Sequence, residues 1–315
     1  MAGTTSPTDI AATQKRAGSP TLDSDEPRIS AVVLNYFGAD NTKCCVGSLL
    51  GQKLAALFVV DNSACDEEAA RLRAVLDELA PASPFPIHLR VNERNLGFGP
   101  AINKVIRECQ DSGQRSDYYL ALNNDAWASD NLLSELLKTM RSDPQIVLVS
   151  PRILQGSLSL ESRWYYRFLG HVSDFPNPRL AVPYLSGSCL LVDSRIADSG
   201  ELFDEDFFMY GEDIWLSWHA MRRGYRLACA ASTSIEHEGS ASSKHGGLFY
   251  EYHSARGHVL LGLKMVRHPI EVPALIVGRI FYLLARALFR SVRFRSMNPL
   301  RAYLMAWFPI ELRPR

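Results

Sequence analysis

Four short apolar runs, each ending in polar residues, alternate with helical segments in the first 125 residues. The runs span 29–34, 57–60, 87–91 and 118–122, and the helical segments between them span 42–54, 66–79 and 99–109. Apolar runs of this length, rich in β-branched residues, are typical of buried strands in a parallel sheet. The alternation therefore predicts an α/β fold with a parallel sheet.

Polar residues follow three of the predicted strands, at 35–36, 61–63 and 123–125. Ligands of open α/β sheets bind at the carboxyl ends of the strands, so these residues predict a binding site at that edge. The sequence has no GxGxxG after the first strand and no GxxxxGK[ST] anywhere. The dinucleotide-dehydrogenase and P-loop classes therefore lose their main support.

The charge of the chain is unevenly distributed. The 315 residues are 47% hydrophobic, enough for one large domain or two modest ones, and their formal net charge is zero. From Arg279 to the end, however, there are eight arginines, no lysine and one glutamate, so an acidic body carries a basic tail. Such a tail can favour anionic lipid or nucleic acid. We expect no nucleic-acid partner, because the body lacks aromatic and basic interleaving.

The N-terminus and the cysteines bear on location. Residues 1–27 are rich in Ala, Thr, Ser, Asp and Pro and lack the apolar run of a signal peptide, which predicts a disordered leader. The six cysteines are scattered without a CxxC pair, a pattern typical of a reducing compartment. We therefore expect a cytoplasmic protein.

Asn123-Asn124-Asp125 is a candidate metal motif. A carboxylate with amide neighbours suits Mg²⁺ or Mn²⁺, because the oxygens of a bound diphosphate ligand and water can complete the coordination of the ion. The imidazole of His237 is a candidate second ligand. Two other interpretations stay open on the residues alone. The tripeptide also fits a polar turn or an N-cap for a helix at 131–140, and a lone histidine is more often a surface or core residue.

Glu212 and Asp213 form a second acidic group, between an aromatic run and a helix predicted at 214–223 and closed by Gly224. A carboxylate that aromatic walls partly desolvate can act as a general base. Acidic residues at a helix N-terminus also cap the helix and favour its dipole, so both roles remain open at this point.

Seven ordered motifs between residues 28 and 260 together resemble family 2 glycosyltransferases, most of all their rhamnosyltransferase-like branch. The motifs lie at 29–36, 58–63, 92–103, 120–125, 186–188, 202–213 and 237–240. The resemblance implies a GT-A fold, with a Rossmann-like, mostly parallel sheet flanked by helices and a C-terminal helical extension. It implies a nucleotide-binding half at 28–125 and an acceptor-binding half at 126–265 in one domain, followed by a tail at 266–315.

The resemblance also implies roles for particular residues. Asp213 would be the catalytic base, supported by Glu212, while Asp125 and His237 would hold Mg²⁺ or Mn²⁺. Asp61 would bind the pyrimidine base of the donor, and Arg256 would clamp its diphosphate. The other implied donor-binding residues are Asn35, Tyr36, Asn95, Gly97, Phe98, Asn103, Asn124, Gly187 and Ser188.

The implied reaction is inverting transfer of a sugar from a dTDP- or UDP-sugar to a glycan or polyprenyl-linked acceptor, with rhamnose from dTDP-rhamnose as one candidate. The alternative is a catalytically idle protein of the same fold that binds a sugar nucleotide or acts as a scaffold. Retention of Asp125 and Asp213 favours the enzyme.

The tail contains an amphipathic pattern at 270–295. On a helix, Arg279, Arg286, Arg290 and Arg293 fall within about 60° of one another. We expect a helix lying on the inner face of the cytoplasmic membrane, with its basic face toward the lipid headgroups. In the alternative interpretation, the helix packs on the catalytic domain and the arginine face is solvated.

Overall fold

The first half of the chain alternates strands and helices as predicted. The computed structural model describes residues 26–197, 200–239, 245–310 and 312. All but the last two residues of the predicted leader lie outside these ranges. The elements are β1 (Ile29–Asn35), α1 (Ala39–Leu49), β2 (Ala56–Asp61), α2 (Asp66–Leu79), β3 (Ile87–Val91), α3 (Phe98–Asp111) and β4 (Tyr118–Asn123).

The first helix lies a few residues N-terminal of its predicted position, because tertiary contacts fix both of its ends. The Glu68 carboxylate accepts a hydrogen bond from the Ala39 backbone N–H, which opens the helix. Beyond Leu49, the Gln52 amide donates to the carbonyls of Ser129 and Asp130 and holds the chain outside the helical path.

The second half adds short strands, two helices and a helical end. Its elements are β5 (Ala126–Ala128), α4 (Leu132–Arg141), β6 (Ile146–Gln155), β7 (Leu158–Leu160), β8 (Arg163–Tyr166), β9 (His171–Ser173), β10 (Val182–Tyr184), β11 (Cys189–Asp193), α5 (Glu212–Arg222) and β12 (Arg226–His237). The C-terminal helices are α6 (Leu248–Lys264), α7 (Val272–Phe294) and α8 (Asn298–Met305).

One mixed sheet runs through the molecule. Among the described residues it has nine strands in the order β3-β2-β1-β4-β11-β6-β12-β5, with β7 paired to β6. The first four strands are parallel, whereas β11 runs antiparallel to both β4 and β6. Because β4 and β11 pair, the two predicted halves share this sheet. A separate small sheet has the order β10-β8-β9.

Helices cover both faces of the parallel strands. Ala31 and Val33 of β1 pack in a cluster with α1, α2 and α4, and Val32 between them packs with α3 and α5 on the other face. Burial on both faces explains why these strands read as continuous apolar runs.

Helix α7 packs on the catalytic domain, as in the alternative interpretation of the tail, but it does so through the arginine face that both interpretations placed outward. Arg279 is 2% exposed and donates to the backbone carbonyls of His258, Phe168 and Leu275 and to the Tyr165 hydroxyl. The predicted headgroup-facing or solvated arginine surface is therefore turned inward. The physical reason is that α6 and its neighbours offer acceptors that satisfy the guanidinium groups.

Two further arginines on this face, Arg286 and Arg290, have partners on α6. Arg290 forms an ion pair with Glu251, and Arg286 donates to the Ser254 hydroxyl. Arg293 is exposed, as predicted. The segment Pro269–Phe294 is long and apolar enough to cross a membrane by length and composition, with 22% of its most apolar window buried.

Candidate active site

A cleft of about 570 Å³ opens where the carboxyl ends of β1 and β4 face the start of α5. Eleven of the fifteen predicted site residues line it: Tyr36, Asn95, Gly97, Phe98, Asn124, Asp125, Gly187, Ser188, Glu212, Asp213 and His237. Four are not among its lining residues: Asn35, Asp61, Asn103 and Arg256. The cleft therefore lies at the sheet edge where the polar residues after the strands predict a binding site.

Strand pairing brings Asp125 and His237 together. Asp125 lies between β4 and β5, and β5 pairs antiparallel with the end of β12, where His237 is the partner of Ala126. The His237 Nε2 atom lies 3.2 Å from Asp125 Oδ1 and 3.4 Å from the Asn123 amide nitrogen. Asn123 and His237, although 114 positions apart in the sequence, thus lie with Asp125 in one polar group of the cleft wall.

This pair fits a divalent cation. Adjacent ligands of an octahedral Mg²⁺ or Mn²⁺ ion, each about 2.1 Å from the metal, are about 3 Å apart, close to the observed separation. Carboxylate oxygen and imidazole nitrogen are both ligands that these ions accept. Among the described residues, no third His, Cys, Asp or Glu side chain joins this pair to complete a metal site of three or more such ligands. An ion bound here would therefore leave several coordination positions for ligand oxygens and water.

The start of α5 positions Asp213. Its Oδ1 accepts a hydrogen bond from the Ile214 backbone N–H at 2.8 Å, and its Oδ2 accepts one from the Gly187 N–H at 3.2 Å. Gly211, with φ of +110°, precedes the helix and turns the chain into it. The carboxylate is therefore held in one orientation at the cleft wall.

Burial controls the protonation of this acidic pair. Desolvation raises the pKa of Asp213, although hydrogen bonds from Gly187 and Ile214 and the charge of Arg163 oppose the rise. Desolvation also raises the pKa of Glu212, and the neighbouring charge of Asp213 adds to the effect. Within the described residues, Glu212 Oε2 is buried without a hydrogen-bond partner. A carboxylate with a raised pKa is a stronger base than one in water.

The loop before α3 forms another wall of the cleft. The Asn95 side chain accepts a hydrogen bond from the Gly97 N–H, and the Phe98 N–H donates to the Phe208 carbonyl. Gly97 has φ of +88°, and a Cβ atom there would lie 2.1 Å from the Phe208 oxygen. Only glycine fits at this contact between the two loops.

Asn35, another predicted donor-binding residue, is buried and is not among the residues that line the cleft. It is fully buried, donates to Asp61 Oδ1 and accepts hydrogen bonds from the Thr42 hydroxyl and the Asn124 amide. It therefore positions Asn124, which does line the cleft. Asp61 is also fully buried, and its Oδ2 has no hydrogen-bond partner among the described residues.

Asn103 and Arg256, two further predicted donor-binding residues, are not among the residues that line the cleft. The Asn103 side chain donates to the Phe203 carbonyl and accepts from the Leu202 and Phe203 N–H groups, so it holds the loop before α5. Arg256 donates to the Ala306 carbonyl beyond α8. On α6 the residues that line the cleft are Phe249, Tyr250, Ser254, Gly257 and His258, and Arg256 is not among them.

The sequence did not predict that Arg163 and Arg286 would reach the cleft. Arg163 of β8 bonds to Asp174, and Arg286 of α7 bonds to Ser254. His171 and Tyr282 line the same wall and share a hydrogen bond. The pairing of β8 with β9 brings Arg163 and His171 together, and Tyr282 and Arg286 reach the same wall from α7, so no local pattern links the four residues.

A second cavity of about 1150 Å³ adjoins the cleft. Tyr36, Asn95 and Phe208 line both, so the two spaces meet at these side chains. The second cavity is also lined by Ser63 and Lys104. A long ligand can therefore extend through both.

The family model for glycosyl transferase family 2 matches residues 30–199, more than half of the chain. The chain belongs to this family. It is a glycosyltransferase, and the family prediction is confirmed. Among its relatives, the low-salt glycan biosynthesis hexosyltransferase Agl10 of Haloferax volcanii is 26% identical over 220 residues, 67% of each chain.

Solved structures of other glycosyltransferases share the fold of this family 2 member. The mannosyltransferase PcManGT from Pyrobaculum calidifontis, in complex with GDP-Man and Mn²⁺, is 16% identical with a TM-score of 0.54, over 90% of this chain and 86% of that one. GalNAc-T7 with UDP, GalNAc and Mn²⁺ is 14% identical with a TM-score of 0.56, over 76% of this chain and 48% of that one. The predicted GT-A fold with its helical C-terminal extension is confirmed.

Proposed function

We propose that this chain transfers a hexose, with inversion, from a nucleoside diphosphate donor to a hydroxyl group of a glycan or lipid-linked saccharide. The observation that carries the proposal is the convergence of a fixed carboxylate, Asp213, and the Asp125–His237 pair on one cleft. The transferred sugar is proposed as a hexose because the Haloferax volcanii relative is named a hexosyltransferase.

In the proposed reaction, Asp213 accepts the proton of the acceptor hydroxyl as its oxygen attacks the anomeric carbon. The bond from that carbon to the diphosphate oxygen breaks, and the diphosphate leaves with the electron pair. Attack from the face opposite the leaving group inverts the anomeric configuration. The hydrogen bonds from Gly187 and Ile214 keep the Asp213 carboxylate oriented, and its raised pKa favours proton acceptance.

Asp125 and His237 are the proposed metal ligands, next to the donor diphosphate. A bound Mg²⁺ or Mn²⁺ would offset negative charge on the leaving diphosphate. The donor set supports this assignment, as do the Mn²⁺ complexes of PcManGT and GalNAc-T7. Arg286, a partly buried cation in the cleft wall, is proposed to add positive charge for a phosphate-bearing ligand.

The nucleoside is proposed to occupy the second cavity, beside Tyr36 and Asn95. Asp61 is proposed as the acceptor for a base N–H, because its buried Oδ2 has no hydrogen-bond partner among the described residues and Ser63, two positions on, lines this cavity. Since Asp61 is buried, this contact requires the side chains above it to shift. We propose dTDP-rhamnose as the first donor to test, with UDP-sugars second, because the motifs resemble the rhamnosyltransferase-like branch. The division at residue 125 into nucleotide-binding and acceptor-binding halves is part of the same proposal.

The test is Asp213→Asn, with transfer and donor binding measured separately. We expect kcat to fall about 10²–10⁴-fold, the usual contribution of a general base. Donor affinity by calorimetry should stay within about threefold, since the amide keeps the shape of the side chain. The matched control is Asp206→Asn, an acidic residue of the same segment that is 65% exposed and paired to Lys264. Full transfer activity in Asp213→Asn, or a product with retained anomeric configuration, would contradict the proposal.

A further inference from the structure

Helix α7 presents a long apolar face to the outside of the molecule. Over residues 273–292, all of which the structure describes, every exposed residue is apolar: Pro273, Ala274, Ile276, Val277, Ile280, Phe281, Ala285, Leu288, Phe289 and Val292. Phe281 is 68% exposed, Phe289 65% and Val292 79%. These 20 residues extend about 30 Å along the helix axis. An exposed apolar surface of this extent marks an interaction site in a soluble domain.

The charged residues of this stretch are directed away from that face. Arg279, Arg286 and Arg290 are the only charged residues between 273 and 292, and each bonds to a group of the catalytic body. Gly278 brings α7 close to that body, because a Cβ atom there would lie 2.2 Å from the Phe168 carbonyl oxygen. The helix is therefore anchored by its arginine face, and the apolar face remains free.

Positive charge resumes where the apolar face ends. Arg293 and Arg295 are exposed at the C-terminal end of α7, and Arg301 is exposed on α8. A helix that lies in a membrane interface buries an apolar face among the acyl chains, while nearby basic residues meet anionic headgroups. A protein interface of this size carries about one hydrogen bond per 100–200 Å², and the exposed side chains of this face offer none.

We propose that this apolar face docks α7 in the plane of an anionic membrane surface, with Arg293, Arg295 and Arg301 at the headgroups. The helix does not cross the bilayer. Crossing would require Arg279, Arg286 and Arg290 to leave their partners and enter hydrocarbon. The face that makes this contact is opposite to the arginine face that the sequence pattern assigns to the headgroups.

Docking in this way fixes where the cleft lies relative to the membrane. Tyr282 and Arg286 project from the inward side of the same helix and line the cleft. The cleft wall is thus within about one helix diameter, roughly 10 Å, of the membrane surface. Resting on the proposed function, this placement favours an acceptor saccharide carried on a lipid phosphate.

The test is vesicle co-sedimentation of the full chain, without donor or acceptor, so its outcome does not depend on the proposed reaction. Vesicles of phosphatidylethanolamine with about one-third phosphatidylglycerol supply the anionic surface. The test variant carries Phe281→Gln, Leu288→Gln and Phe289→Gln, exposed positions where glutamine preserves the helix. The matched control carries Phe175→Gln and Leu180→Gln, which are 82% and 66% exposed between β9 and β10.

We expect the wild type and the control to bind, and the partition coefficient of the test variant to fall about a hundredfold or more. Phosphatidylcholine vesicles should bind the wild type more weakly, and alkaline carbonate should release it. Circular dichroism of the test variant checks that it folds.

Three results would overturn the proposal. Equal vesicle binding by the test variant and the wild type would remove the role of the apolar face. Resistance to carbonate extraction would indicate a membrane-spanning helix. A lipid-free dimer in analytical ultracentrifugation that the test variant abolishes, with no vesicle binding by the wild type, would assign the face to a second copy of the chain.

Discussion

Replacing Glu251 with glutamine removes a negative charge that holds α7 on α6 and leaves the shape of the side chain unchanged. Glu251 is 1% exposed, and its Oε1 lies 2.5 Å from Arg290 Nη2. Arg286 Nη1 lies 3.8 Å from Glu251 Oε2, and the Gly246 N–H donates to Glu251 Oε1. The variant therefore leaves two guanidinium groups facing a neutral amide.

The cost follows from the burial of these groups. Breaking a buried ion pair by removing one partner costs about 3–5 kcal/mol. Because the Arg290 and Arg286 side chains are 17% and 21% exposed, they keep some hydration, and we expect the lower end, about 3 kcal/mol. For a chain of 315 residues, whose unfolding entropy is about 0.66 kcal/mol/K, that lowers the unfolding midpoint by roughly 4–5 °C.

Urea and thermal unfolding, followed by circular dichroism, measure this loss. The control is Glu78→Gln, which breaks a 2.7 Å ion pair with Lys43 whose side chains are 63% and 41% exposed. It should cost less than about 1 kcal/mol. Adding Arg290→Gln to Glu251→Gln should cost less than the sum of the two single changes. A stability of Glu251→Gln within about 0.5 kcal/mol of wild type would refute the role of this pair.

Three further predictions concern the cleft. Glu212→Gln should stabilise the chain by about 1–3 kcal/mol at neutral pH, because burial raises the pKa of Glu212 and its ionisation disfavours the folded state. This gain should vanish below about pH 4, where the unfolded carboxyl is also protonated, and a gain independent of pH in thermal unfolding would contradict the cause. Gly97→Ala should cost about 2–4 kcal/mol and raise the donor KM, whereas Gly113→Ala, also at positive φ but in open space, should cost about 1 kcal/mol with KM unchanged. Equal costs for the two would refute the contact with Phe208. Chelation should abolish transfer until Mn²⁺ or Mg²⁺ is added, and His237→Gln should weaken Mn²⁺ binding in the presence of nucleoside diphosphate about tenfold or more by calorimetry. Chelator-insensitive transfer would exclude the metal role.

Local sequence pattern was sufficient for the alternating part of the fold. The runs at 29–34 and 118–122 appear as β1 and β4 because their residues are buried on both faces of the sheet. Helix α2 has its predicted bounds, since its acidic first turn and apolar spacing are local signals. The helix predicted at 42–54 was displaced, because contacts from Glu68 and Gln52, distant in sequence, decide where α1 begins and ends.

The sequence identified cleft-lining residues best where they lie next to the end of a strand or the start of a helix. Asp125 and Asp213 occupy such ends, and the polar residues there line the cleft. Asn35 and Asn103 also belong to ordered motifs, yet their amides support neighbouring segments and do not line the cleft. Sequence order identified the motifs but could not distinguish residues that line the cleft from residues that support them.

The sequence by itself determined that the tail forms an amphipathic helix with one arginine face and one apolar face. Only the tertiary structure decided which face turns inward. A buried guanidinium is tolerated when enough acceptors surround it, and Glu251, Ser254 and the His258 carbonyl supply them from α6. Those acceptors are separated in sequence from the arginines they bind. Periodicity along α7 therefore defines two faces without indicating that the charged one is buried and the apolar one exposed.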